Sequence, residues 1–277
     1  MPYLLNAPSW IFLAVFFVIP LASVLALSVA TGNPEVGYQY TGHVHEFVTA
    51  ISTYQTQLIR SFWYGIASTV ITLAISYPVA YWIAFYGGRN KSTYLFLMLL
   101  PFFVSFIIRT LAWEFILADQ GMVLGHLKSW GLLPQSFHIL STGYAVVAGL
   151  AYNYLPFTAL PLYVAIERID KRVLDAAYDL YATRRQAFLR VILPLTIPGV
   201  FAAFLLTFIP ALGDYVNQQI LGGTGDTMIG TVIQNSFLTT LDYPAGSALS
   251  TVLMAIALIG IFAYARILGS RTIEEYL

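Results

Sequence analysis

The sequence predicts an all-α integral membrane protein, with six transmembrane helices and a charged helical hairpin between the fourth and fifth. Three observations carry that expectation. Of the 277 residues, 58% are hydrophobic and only 9% charged, with a mean hydropathy of +0.75. A soluble globular chain carries roughly 25% charged residues. Six stretches lack any Asp, Glu, Lys or Arg: 1–34, 61–88, 92–108, 129–166, 191–213 and 243–265. The remaining Lys and Arg fall almost entirely on one side of the zigzag those stretches imply. The formal net charge is zero, which gives no footing for a nucleic-acid partner, and the absence of cysteine excludes disulfide and thiol chemistry.

A bilayer-crossing helix needs about 20 mostly apolar residues, within a range of about 17–25. One fits in each stretch, at approximately 8–30, 62–86, 94–117, 142–166, 195–214 and 246–268, so that 1–277 reads as a single membrane domain. The first ends in "SVLALSVA", which resembles a signal cleavage site. No Lys or Arg precedes it, however, and the apolar run from Trp10 to Ala30 exceeds the roughly 7–15 residues of a signal core, so a retained helix is expected. The fourth stretch could hold two helices, but Gly131 and Pro134 break "GLLPQSFHIL", which reads as interfacial. Pro156 and Pro161 in the fourth helix and Pro210 in the fifth remove backbone hydrogen bonds and predict kinks.

Six spans put both termini on one side. That side receives Arg89, Lys91, Arg168, Lys171, Arg172, Arg184, Arg185, Arg190, Arg266 and Arg271; the other receives Lys128 and, at the membrane edge, Arg60. Basic residues concentrate on the cytoplasmic side, so the termini and the hairpin are expected to face the cytoplasm. The outer side collects Glu35, Glu46, Asp119, Asp214, Asp226 and Asp242, with Glu114 near the outer end of the third helix.

The hairpin spans 170–194. Asp170 can cap a helix in which Leu174, Ala177, Tyr178 and Tyr181 form one stripe, with Lys171, Asp175 and Asp179 on another face. "TRRQ" is a capping box, Thr183 with Gln186, opening a second short helix with Phe188, Val191 and Ile192 on its apolar side. Pro194 is expected to stop it, and Pro198 to sit in the first turn of the fifth membrane helix. Two short amphipathic helices, roughly perpendicular, would then lie on the cytoplasmic face. Anionic lipid would account for the arginines. It would not account for the order Asp-Ala-Ala, a turn, Phe, then Ile-Leu-Pro.

That order resembles the EAA motif of ABC importer permeases, with Asp175, Ala176 and Ala177 at its start and Ala182, Phe188, Leu193 and Pro194 in the remainder. The resemblance implies the type I importer permease fold, with the hairpin as a coupling helix docking in a groove of a cytoplasmic ATPase. Asp175, Ala176, Ala177, Tyr181, Ala182, Arg184, Arg185 and Phe188 are the implied coupling residues. Two departures stand out: Asp175 replaces the family's Glu, and Tyr181 stands where the family has Gly, at a turn that tyrosine enters reluctantly. "PFFVSFIIRTLAW", "YNYLPFTALPLYVAIERID" and "IPALGDYVNQQILGG" narrow the resemblance to the spermidine/putrescine branch, the PotB/PotH type. Branches for ferric iron, thiamine or opine-like compounds share parts of these runs. The resemblance also implies a second homologous permease in a heterodimer, two ATPase subunits and an extracytoplasmic substrate-binding protein.

A polyamine path needs acids and aromatic faces, each cation–π contact contributing about 0.5–2 kcal/mol. Glu114, Asp214, Trp113, Tyr152, Tyr154 and Tyr215 are the candidates; the aromatics also suit a membrane-interface belt. Arg109 lies roughly 22 Å from the inner end of its helix at 1.5 Å per residue. It needs a partner or access to water there, and Glu114 is about 140° around the helix, so for a partner an acid or carbonyl on another helix is expected. A gate and a structural ion pair both fit Arg109; repulsion of a cationic cargo favours the structural role. "GGRNKS" lacks the phosphate-loop spacing, so ATP and Mg are expected on the partner ATPase and no cofactor on this chain. His43 and His45 lack a third ligand, and no metal site is expected. The rival class is an ATP-independent secondary transporter, disfavoured by the absence of internal repeats and of midplane acids.

Overall fold

The computed structural model describes residues 7–35, 37–40, 42 and 45–274. In chain order these form α1 (Ala7–Leu27), a hairpin of β1 (Ala30–Asn33) and β2 (Gly37–Tyr40), α2 (His45–Thr53) and α3 (Gln55–Tyr86). Next come α4 (Gly88–Phe103), α5 (Phe106–Leu117), α6 (Leu124–Ser129), α7 (Gly143–Glu167) and α8 (Lys171–Asp179). The chain closes with α9 (Arg184–Leu212), α10 (Val216–Leu221), α11 (Ile229–Leu238) and α12 (Tyr243–Glu274). Five helices (α1, α3, α7, α9 and α12) are long and apolar enough to cross a bilayer, and α4 with α5 makes a sixth if that bent pair is one span.

The centre of the bundle is α3 against α7 and α9. The side of α3 that meets them carries Ser61, Gly65, Ser68, Thr69, Thr72, Ser76, Ala80 and Ala84, all buried. Small residues let helix backbones approach where lipid supplies no hydrophobic drive. Most of their hydroxyls are paired, as a lipid environment favours, with Ser76 the exception. Thr69 donates to the Gly65 carbonyl at 2.7 Å and Thr72 to that of Ser68 at 2.6 Å. Thr72 also reaches the Ala151 carbonyl on α7 at 3.3 Å, and Thr158 of α7 meets Thr207 of α9 at 2.5 Å. Where α9 crosses α7, a side chain at Gly199 would put its Cβ 2.2 Å from that of Ala165. α1 has no buried residue and rests mainly on α12.

Several boundaries differ from the charge-free stretches. The third span is not a straight 94–117: α4 and α5 meet at 86°. Pro101 opens the tight last turn of α4, and Val104 and Ser105 take extended ψ angles of 139° and 138°. A charge-free run cannot report such a break. The fifth span begins at 184 rather than 195, because the second half of the charged hairpin runs directly into it. Pro194 does not stop that helix. A π-turn over Phe188–Ile192 precedes it, with the Leu193 amide bonded to the Phe188 carbonyl five residues back, and this wider turn absorbs the missing proline donor. Pro198 accordingly lies inside α9, and the helix ends at Leu212, leaving Asp214 beyond it. The second span starts earlier than 62, at Gln55, and the first ends at Leu27, where the chain turns into β1. The segment around Gly131 and Pro134 is irregular, as expected, behind the short α6.

Candidate functional site

Two places concentrate the sequence candidates. One is the hairpin. Asp170 accepts from the Arg172 amide at 2.9 Å and caps α8. At its other end Tyr181 takes φ +57°. The Tyr181 amide bonds to the Tyr178 carbonyl and the Ala182 amide to that of Ala177, the pairing by which a left-handed residue closes a helix. The turn is therefore no wider than a glycine would make it. Thr183 and Gln186 then cap each other, at 2.8 and 3.3 Å, and open α9.

Inside the hairpin Leu174, Ala187 and Ile192 are buried against Tyr81 and Phe85 of α3. Phe188 turns inward, its ring 5.7 Å from Tyr77 and 6.0 Å from Tyr81. Of the stripe read from sequence, Leu174 and Ala177 face inward, whereas Tyr178 is exposed and Tyr181 is 94% exposed. Asp175, Ala176, Arg184 and Arg185 are also exposed, and Ala182 is half-buried. The outer surface of the hairpin thus offers small, charged and aromatic groups, while Phe188 ties it to the membrane core. Nearby, Lys91 bridges to Glu167 at 2.8 Å, joining the starts and ends of α4 and α7 on the same side.

The second place is a cavity of about 540 Å³ at the α4–α5 bend, closed on its far side by the end of α9 and the start of α10. It brings together Arg109, Tyr154, Asp214 and Tyr215, with Phe102 and Phe106 among its walls. Asp214 is 6% exposed. A buried carboxylate is tolerable only when hydrogen-bonded, and three donors serve it: the Asn217 amide at 2.8 Å, Asn217 Nδ2 at 3.1 Å and the Tyr154 hydroxyl at 3.0 Å. The network continues inward. Asn153 Nδ2 donates to Asn217 Oδ1 and to Thr110 Oγ1, both at 2.9 Å, tying α7 to α10 and α5. Gly149 leaves the room: a Cβ there would lie 2.7 Å from Asn217 Oδ1.

Arg109 departs from its expectation. Its Cζ lies 5.8 Å from the ring centroids of both Phe102 and Phe106, and among the described residues no acid or carbonyl pairs with it. Glu114, Trp113 and Tyr152 do not line the cavity. Trp113 and Tyr152 pack edge to face at 5.4 Å, and Trp113 joins the apolar cluster of Leu117 and Leu124. Asp226 is likewise engaged elsewhere, accepting from the Tyr64 hydroxyl at 2.8 Å. Sequence reasoning missed Thr110, Asn153 and Asn217. Three polar residues in apolar runs were their only signal, and spacing along the chain does not show that they meet. No group of three or more potential metal ligands occurs among the described residues, and His43 lies outside them.

The chain matches the family described as "binding-protein-dependent transport system inner membrane component" over residues 90–273. The spermidine/putrescine transport system permease protein PotB of Haemophilus influenzae is 37% identical over 274 residues, covering 96% of this chain and 93% of that protein. PotB of Escherichia coli is 35% identical over 217 residues, 77% of this chain and 79% of its own length. Among solved structures, a bacterial alginate ABC transporter superposes with a TM-score of 0.69 at 21% identity, over 95% of this chain and 92% of that one. The MetNI methionine transporter gives 0.60 at 17% identity, over 78% and 94%. At these identities the likeness is one of fold. This chain belongs to the family of inner-membrane permease subunits of binding-protein-dependent ABC importers.

Proposed function

We propose that this permease imports polyamines of the spermidine/putrescine class, and that Tyr154, Asp214 and Tyr215 form the cargo-facing part of its path. The observation that carries this reading is Asp214, among the described residues the only acid lining the cavity at the α4–α5 bend, fixed by three donors between aromatic walls. A carboxylate held in that way offers a flexible polycation an ion pair without reorganisation, and the tyrosine faces add cation–π attraction. Relatives named for spermidine and putrescine transport support the cargo. Glu114, Trp113 and Tyr152 do not line the cavity and belong to the surroundings of the path.

The exposed hairpin surface of Asp175, Ala176, Tyr181, Arg184 and Arg185, edged by the half-buried Ala177 and Ala182, docks on one of two cytoplasmic ATPase subunits, which carry ATP and Mg. An ATP-driven closure there moves α3 and α9 through Phe188, and so switches access to the cavity. A second, different permease completes the path, and an extracytoplasmic binding protein delivers the cargo. The termini and hairpin face the cytoplasm of the bacterial inner membrane.

The test is uptake of labelled spermidine and putrescine by cells lacking this chain, restored with wild type, Asp214→Asn or Ala177→Arg. Wild type restores uptake. Asp214→Asn lowers it about tenfold, the loss of roughly 1.4 kcal/mol. Ala177→Arg inserts normally but fails to transport, because a long side chain at this half-buried edge displaces the docking surface of the hairpin. Unchanged polyamine uptake in the deleted strain would transfer the cargo to ferric iron, thiamine or an opine-like compound. Full rescue by Ala177→Arg, with uptake following a proton gradient, would make the chain a secondary transporter.

A further inference from the structure

A cavity of about 800 Å³ opens between α3 and α7, at the end of both helices away from the hairpin. Toward the middle of the helices its wall is apolar, with Ala67 and Ile71 of α3 beside Val147 and Ala148 of α7. Its rim is different: there Trp63, Tyr64 and Tyr144 stand with Asp226. Three bonds fix that rim. The Tyr64 hydroxyl donates to Asp226 Oδ1 at 2.8 Å, Arg60 Nη1 to the Thr227 carbonyl at 3.0 Å, and the Ile229 amide to Ser61 Oγ at 2.7 Å. Gly143 belongs to the fit, since a Cβ there would overlap the Tyr64 hydroxyl. One charge of each sign is thereby anchored at the rim, and among the described residues Asp226 and Arg60 form no ion pair with each other. An interfacial belt accounts for the rings. It does not account for an acid fastened among them.

The cavity and the cargo path lie on different sides of the bundle. No residue of α3 lines the cavity at the α4–α5 bend. On α7, Tyr144, Val147 and Ala148 point about 100° around the helix from Tyr154 and Phe157, which do line it. A second permease that closes over Tyr154 and Asp214 covers the α4–α5 side, and the α3–α7 cavity opens onto lipid.

We propose that this cavity binds a phospholipid whose headgroup carries a primary ammonium, with the ammonium on Asp226, the phosphate on Arg60 and one acyl chain along Ile71, Val147 and Ala148. The rise from Trp63 to Ile71 is about 12 Å at 1.5 Å per residue, close to one leaflet's share of a roughly 30 Å hydrocarbon core. Charge selects the headgroup. An anionic lipid would satisfy Arg60 and set a second negative charge beside Asp226. A polyamine would satisfy Asp226 and set its remaining charges beside Arg60. A zwitterion gives each side chain a partner, and the rings of Trp63 and Tyr144 add cation–π attraction to its ammonium.

The experiment is native mass spectrometry of the assembled complex, both permeases with the ATPase, released from nanodiscs holding equal amounts of phosphatidylethanolamine and phosphatidylglycerol. Wild type is expected to retain phosphatidylethanolamine about tenfold over phosphatidylglycerol, a difference of roughly 1.4 kcal/mol. Asp226→Asn should bring that ratio near one, and Arg60→Gln should lower retention of both lipids. Ala148→Phe, which fills the apolar wall, should retain neither. A benzophenone side chain placed at Tyr144 should form its light-induced adduct with phospholipid.

Equal retention of the two lipids by wild type, or an unchanged ratio in Asp226→Asn, would overturn the proposal. So would unchanged retention in Ala148→Phe. A benzophenone adduct with the second permease would make the cavity a subunit contact, and displacement of the lipid by spermidine would make it a vestibule for cargo; either result sinks the lipid site. The Ala148 and Tyr144 measurements leave Asp226 and its bonds untouched, so they decide the matter even if Asp226→Asn fails to assemble.

Discussion

Tyr181 is a tyrosine in the backbone conformation that glycine adopts most freely, with φ +57°, and its ring is almost wholly in solvent. A left-handed residue with a Cβ costs roughly 1–2 kcal/mol, and nothing within this chain repays it. Tyr181→Gly should therefore raise the thermal stability of the purified complex by about 1 kcal/mol. A simultaneous fall in ATP-driven uptake would show that the ring itself is what the ATPase receives; unchanged uptake would reduce Tyr181 to a tolerated substitution. Asn217 makes the opposite case. It supplies two of the three hydrogen bonds to Asp214 and takes the one from Asn153. Asn217→Ala should destabilise the complex by about 1–3 kcal/mol, the penalty for buried polar groups left unpaired, and should lower cargo binding with it. Unaltered stability would mean that water replaces the amide. Asp214 was legible because acids are few in this sequence, and Tyr215 because it adjoins Asp214; Tyr154, one of 19 tyrosines, was reached only as one aromatic face among several. Asn217, Asn153 and Thr110 were not, because their meaning lies in three helices converging.

At the level of elements, the π-turn at Phe188–Ile192 joins the hairpin to α9 without a break. A π-turn holds one residue more than an α-helical turn, and one residue is about 100° of rotation around a helix. Deleting Leu189, an exposed member of that turn, would convert it to α-helix and swing the hairpin around the α9 axis. The expected result is a permease that inserts and assembles but no longer stimulates or uses ATP hydrolysis, measured as cargo-dependent ATPase activity. Retained coupling would show that the docking surface tolerates rotation. At the α7–α9 crossing, Gly199→Val should cost about 1–3 kcal/mol by overpacking against Ala165. The caps of the hairpin were readable from sequence, since Asp170, Thr183 and Gln186 act within three residues of their partners. The α4–α5 bend and the passage through Pro194 were not. Each depends on which backbone donors are already satisfied, and a count of charges carries no such information.

For the molecule as a whole, the arrangement of charges predicts a direction across the membrane, and the absence of cysteine makes it simple to test. In intact cells a membrane-impermeant maleimide should label Gly225→Cys on the outer loop and leave Tyr181→Cys unlabelled; the reverse pattern would invert the topology. Span number and order were legible because composition varies on the scale of a bilayer thickness. The packing of those spans was not, since it turns on the small polar stripe of α3, which hydropathy averages away. That stripe has a further consequence, in time. Thr72 contacts Ala151, a residue 79 positions later in the chain. At about 5–20 residues per second, ribosomes deliver that partner roughly 4–16 s after α3 itself. Throughout that interval Ser68, Thr69 and Thr72 sit in lipid bonded to carbonyls of their own helix. At those three positions the helix can enter the bilayer and wait for α7 without a bare hydroxyl.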